Sequence, residues 1–152
     1  MTAIVDLLSE HPFFDGLPAS DLVALAACGA QVQFDADQVV FREGEPADHF
    51  YALRSGRVAL EIHAVGRAPH LVTTLSGGDV LGASWMFPPH QWQFEGLTLE
   101  PTEAVALDAS CLRARFDADP ALGYRLVQRF SALLVKRLQA TRLRLLDVYG
   151  DV

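Results

Sequence analysis

A mainly β protein flanked by helices is the fold class this sequence predicts, and three observations predict it. From Val32 to Asp108, short runs of aliphatic, β-branched and aromatic residues recur between turn residues at the spacing of a sandwich or barrel. On either side of that region the apolar residues step by three and four, the helical period. With 152 residues, 51% of them hydrophobic, the chain has enough apolar material for one core, and a single domain over 1–152 is expected.

Residues 1–30 read as a helical lead-in. Val5, Leu7 and Leu8 form one apolar stripe, and Leu17, Leu22, Val23, Leu25 and Ala26 a second, with Pro18 before it, Ser20 or a neighbour as cap and Gly29 after it. Residues 31–110 carry the β pattern: Val39 to Phe41, Phe50 to Leu53, Val58 to Ile62 with Val58, Leu60 and Ile62 alternating, Leu71 to Leu75, Phe94 to Leu99, and Ala104 to Leu107. Breaks fall at Gly44 to Pro46, Ser55-Gly56, Gly66 to Pro69, Gly77-Gly78-Asp79 and Glu100-Pro101, several of which supply the positive φ of tight turns.

Residues 120–149 predict one long helix, with no Gly or Pro between Tyr124 and Tyr149. Val127, Phe130, Leu134, Leu138, Thr141, Leu145 and Val148 make a stripe close to a heptad repeat. A helix of roughly 40 Å exceeds what a small barrel covers by itself, so a homodimer seam along residues 121–149 is expected.

The net charge of −7 argues against general attraction to nucleic acid. Of the 12 basic residues eight lie between Arg113 and Arg144, whereas residues 1–108 hold 15 acids against four arginines. Arg125, Arg129, Lys136, Arg137, Arg142 and Arg144 could therefore meet phosphates, but arginines on helices more often form solvated pairs or lie over apolar surface. No apolar run approaches the roughly 18 residues of a membrane span, and acids stand where a signal peptide is basic, so no membrane association and a cytoplasmic location are expected. Cys28 and Cys111 are too few and too far apart for a disulfide framework or zinc site, and ordinary buried thiols are expected.

The run from Phe13-Phe14-Asp15-Gly16-Leu17 through Phe34 and Val40-Phe41-Arg42-Glu43-Gly44-Glu45-Pro46 to Ser55-Gly56-Arg57-Val58 strongly resembles the cyclic-nucleotide-binding domain family. The resemblance continues through Leu75, Gly78-Asp79, Leu81-Gly82 and the Glu103-to-Asp108 strand, nearly the whole chain. Arg137-Leu138-Gln139-Ala140-Thr141 and the ending Asp147-Val148-Tyr149-Gly150 are similar to the dimerisation helix and hinge of the catabolite activator, or Crp/Fnr-like, branch. The implied fold is a β jelly roll with flanking helices. In that branch a DNA-reading helix-turn-helix follows the hinge; this sequence stops at Val152, so direct DNA binding is not expected of it.

The resemblance also implies a site. Leu81, Gly82, Ala83, Ser84 and Trp85 occupy the place where a short helix start faces the cyclic phosphate. Gly82 would permit close backbone approach and Ser84 could donate a hydrogen bond. The family's glutamate for the ribose hydroxyl is Ala83 here, its phosphate arginine is Trp92, and the following Ser/Thr is Gln93. Because residues 68–112 contain no Lys or Arg, a shift of alignment recovers no cation. Only His90, or Arg137 from the long helix, could replace it. Truncating one member of a buried charged pair costs about 2–5 kcal/mol, so any cAMP or cGMP would be held weakly, and no cofactor is certain.

Trp85, Phe87, Trp92 and Phe94 either fill the pocket or line an altered, more apolar one. Thr141 matches the position from which the family's helix reaches the base. Gly82-Ala83-Ser84 lacks a nucleophile elbow's second glycine and the five histidines show no ligand spacing, so no enzyme is expected. The sequence thus predicts a non-catalytic sensor with a degenerate or altered nucleotide pocket, signalling through its dimer helix to an unknown protein partner. The alternatives are a ligand-free scaffold, or the sensor half of a transcription regulator.

Overall fold

The computed structural model describes residues 3–63 and 65–149, with the side chains of the long helix described as far as residue 143. Helices α1 (Ile4–Glu10) and α2 (Ala19–Ala26) lead into strands β1 (Gly29–Phe34), β2 (Val39–Phe41), β3 (His49–Ser55), β4 (Arg57–Ile62), β5 (His70–Ser76), β6 (Val80–Leu81), β7 (Glu95–Thr98) and β8 (Thr102–Asp108). Helices α3 (Ala109–Ala118) and α4 (Pro120–Tyr149) follow.

The strands form two antiparallel sheets, β1-β8-β3-β6 and β2-β7-β4-β5, and this β roll is the jelly-roll architecture that the sequence implies. In β4 the two-residue period holds only in part, since Ala59, between Val58 and Leu60, is buried as well. Val58 and Leu60 point inward with no more than 5% exposure, whereas Ile62, beyond a register shift between Leu60 and Glu61, turns 38% exposed. At the β3–β4 turn Gly56 has φ +92°, and a Cβ there would lie 2.3 Å from Thr102 Oγ1, so only glycine fits.

Three features differ from the sequence-based expectation. Strand β1 begins at Gly29, which pairs with Leu107 of β8 instead of ending the preceding helix. The N-cap of α2 is Pro18, with no side-chain cap from Ser20. Helix α3 was not foreseen; its marks in the sequence are Asp108, whose carboxylate accepts from the Cys111 amide, and Pro120 just past its end. That hydrogen bond, more than any other influence, holds the Asp108 carboxyl below its ordinary range.

The cysteines also differ, because Cys28 and Cys111 are joined in a disulfide. Their separation of 83 residues hid the pairing. In the fold β1 lies beside β8, and α3 springs directly from β8. The residue before β1 therefore meets the first turn of α3, where the Asp108 amide donates to the Cys28 carbonyl at 2.9 Å.

Helix α4 joins the core through Leu122, Leu126 and Phe130, spaced by four and each no more than 1% exposed. Phe130 thus faces its own roll, not the seam in which the heptad reading placed it. Its ring meets Phe13 at 4.9 Å, Phe50 at 5.0 Å and Trp85 at 5.6 Å. The bidentate Arg125–Asp21 pair ties α4 to α2, and Arg129 donates to the Phe13 carbonyl at 2.9 Å.

His11, 4% exposed, links the lead-in to β3. Its Nε2–H donates to the Leu53 carbonyl at 2.9 Å and toward that of Asp79 at 3.2 Å, while Nδ1 accepts from the Phe13 amide at 3.2 Å. These partners require the neutral ring, and burial pushes its pKa below 6.5. The unfolded chain therefore binds the proton first as pH falls: this contribution to stability is complete above about pH 6.5 and is lost on acidification toward the lower folded value. Thermal melts between about pH 7.5 and about pH 5 should show a falling Tm. His11→Gln should start lower and slope less; an equal slope in both proteins would remove His11 as the cause.

Candidate functional site

Between the second sheet and α4 lies a cavity of about 490 Å³, within the usual range for small-molecule sites. One wall comes from the end of β6 and the turn after it, Leu81, Gly82, Ala83 and Ser84; another from Leu60 of β4 and Phe41 of β2. The loop between Phe87 and Phe94 closes a third side, and Leu134 and Arg137 of α4 cover the fourth.

Of the sequence-predicted site residues, the structure brings together Leu81, Gly82, Ala83, Ser84, Trp92, Gln93 and Arg137. Trp85 and Thr141 lie outside the cavity. Trp85 is 1% exposed in the core, stacked on Phe50 at 5.5 Å, because the 3₁₀ turn Ser84–Met86 advances about a third of a turn per residue, so Ser84 and Trp85 face different ways. Thr141 stands one turn beyond Arg137, exposed, with its hydroxyl donating to the Arg137 carbonyl at 3.0 Å. His90 turns away as well, its Nδ1–H donating to the Trp85 carbonyl at 2.9 Å. The side chains of Leu145 and Val148, and Gly150 of the expected hinge, lie outside the described residues.

Trp92 decides the shape of the site. Its indole stacks on Phe41 at a centroid distance of 3.6 Å and an interplanar angle of 8°, and lies over Gly82. A Cβ on Gly82, whose φ is +103°, would fall 2.5 Å from that ring. The close approach that glycine allows is therefore made by tryptophan rather than left open to a ligand. The backbone holds Trp92 there: its amide donates to the Glu45 carbonyl at 2.9 Å, and its carbonyl accepts from the Gly44 amide at 2.8 Å. The aromatic cluster thus divides, with Trp85 sealing the core while Trp92, Phe87 and Phe94 line a cavity that persists.

Among the described residues Arg137 is the only cation lining the cavity. Its Nη2 donates to the Val80 carbonyl, and it makes no salt bridge among the described residues. Burial lowers its pKa from the ordinary arginine value, and the Asp79 charge opposes that shift only in part. Among the described residues no carboxylate lines the cavity.

Sequence reasoning did not assign Phe41, Leu60, Gln91 or Leu134 to the site. For Leu134 a signal existed: it stands three residues before Arg137, on the same face of a helix. Among the described residues no group of three His, Cys, Asp or Glu could hold a metal, and no helix is long and apolar enough to cross a membrane.

The β roll, the turn after β6 and the long C-terminal helix define the class of protein. The chain belongs to the cyclic nucleotide-binding domain family, whose model matches residues 31–119. Among curated proteins it is 28% identical over 148 residues to the CRP-like cAMP-activated global transcriptional regulator of Mycobacterium tuberculosis, covering 97% of this chain and 64% of that relative's length. A shorter likeness, 35% over 75 residues, covers 49% of this chain and 22% of the acetyltransferase Pat of Mycolicibacterium smegmatis. Among solved structures, a putative cyclic nucleotide-binding protein from Geobacter metallireducens shares the fold with a TM-score of 0.79 and 24% identity, covering 91% of this chain and 99% of its own.

Proposed function

We propose that this chain is a non-catalytic, Crp/Fnr-like regulatory sensor whose pocket is altered so that cAMP or cGMP binds weakly, and that it signals as a homodimer through α4 to a protein partner. The observation that carries this reading is the double role of α4. Leu134 and Arg137 form one wall of the cavity, so an occupant would touch the helix directly. The same helix exposes Val127, Val135, Leu138 and Leu143, at 41%, 53%, 61% and 63%. Its 30 residues span roughly 45 Å, longer than the roll covers, and Val127 and Leu138 of the expected heptad-like stripe stay exposed for a second copy.

The altered pocket is supported by Ala83 and by Trp92, which leave neither a carboxylate for a ribose hydroxyl nor a strand-borne cation for a phosphate. A persisting cavity favours a ligand-responsive module over a bare scaffold. Arg125, Arg129 and Arg137 are each engaged inward, which favours a protein partner over DNA as the target of α4.

Sedimentation velocity at micromolar concentration, with thermal shift in about 1 mM cAMP, tests both halves. A dimer is expected, with a shift of about 1–2 °C if Kd is near 1 mM. A monomer would remove the signalling route. A shift above about 5 °C, as a site near 10 μM would give, would show that the nucleotide pocket works as in its relatives.

A further inference from the structure

We infer that the cavity binds a small, largely apolar monocarboxylate, with Arg137 pairing to its carboxylate and the rings of Phe41, Trp92 and Phe94 receiving the remainder. The inference rests on the proposed reading that this pocket is altered rather than lost.

Charge selects the sign of the ligand. Among the described residues the cavity is lined by one cation and no anion; Ser84, Gln91 and Gln93 add only neutral polar groups. A guanidinium carries several N–H donors in a fork that matches a carboxylate, and among the described residues this one donates only to the Val80 carbonyl. Partial burial without an ion pair among the described residues leaves it with an electrostatic demand that the Asp79 charge meets only in part. A monoanion meets that demand without excess, whereas a phosphate monoester would bring a second charge for which no cation is present.

The walls select the rest of the molecule. Phe41, Leu60, Trp92, Phe94 and Leu134 present rings and aliphatic carbons, and Ala83 offers nothing to a hydroxyl. A sugar placed against them would lose hydration without replacement, and each unpaired hydroxyl would weaken binding. An aryl or alkyl group is favoured by the same surfaces. The 490 Å³ volume suits a molecule of drug-like size or smaller. Since Arg137 stands on α4, pairing it would bear directly on the helix proposed to carry the signal.

Calorimetric titration of the full chain with 4-phenylbutyrate and with its neutral analogue 4-phenylbutanol, alongside cAMP, tests the class. The carboxylate should bind at least about tenfold more tightly than the alcohol, since a charge-assisted pair is worth more than a neutral contact. Arg137→Met should abolish that preference, and Arg137→Lys should keep part of it. Because Arg137 also holds the Val80 carbonyl, the two variants are compared at matched folded fraction, and the ratio of acid to alcohol affinity is the quantity read. Equal affinities in the native chain would overturn the carboxylate class while leaving the altered-pocket reading standing. Tight cAMP binding with no response to phenylbutyrate would overturn both. Silence toward both phenyl probes with weak cAMP binding would overturn this inference alone.

Discussion

Phe130→Ala is expected to destabilise the protein by about 3–5 kcal/mol, the usual cost of deleting a fully buried aromatic ring. The ring is 0% exposed and meets Phe13, Phe50 and Trp85, so the void opens where the lead-in, β3, the turn after β6 and α4 converge. No single neighbour can collapse into it, since each is held by its own element. Urea unfolding should show a lower midpoint with unchanged slope. Tyr124→Ala, on the same helix but 66% exposed, should stay within about 0.5 kcal/mol of the native protein. Comparable losses from both would mean that Phe130 does not anchor α4. The rank order separates a helix held by its own roll from one held by its neighbour along the exposed stripe.

Replacing both Cys28 and Cys111 by serine is expected to cost about 2–4 kcal/mol, because a bond closing so long a loop restricts the unfolded chain. The closed segment, separated by 83 residues, contains every strand. Reductant should lower the native protein toward the stability of the double variant and leave the variant unchanged. Two thiols titrating in unreduced, denatured protein would show that the bond does not form, and the ordinary-thiol expectation would return. In that event the Asp108 amide to Cys28 carbonyl bond would still hold the two elements side by side.

Much of the roll was legible because its determinants are local. Val58 and Leu60 stand at the two-residue spacing of an inward face, and Gly56 marks a turn that a Cβ would block. Strand β1 was obscured because only partly buried side chains, Val32 among them, carry its pattern. The two-residue strand β6 is too short to show a period. Of the cavity wall, Leu81 to Ser84, Trp92, Gln93 and Arg137 were named from the family pattern, and all of them line it. Trp85 and Thr141 were not correctly placed, since a tight 3₁₀ turn and a helix's rotation set their direction.

By itself the sequence determined the fold class, the family and the order of most strands and turns, because alternation, turn chemistry and motif spacing act over a few residues. Only the tertiary structure decided that Cys28 and Cys111 join, that Phe130 faces its own core, and that Trp92 covers Gly82 while a cavity remains beneath Arg137. Those outcomes depend on which surfaces meet across β1–β8 pairing and α4 packing. Contacts between distant segments are set by the total of burial and hydrogen bonding over the whole chain, and no local pattern encodes that sum.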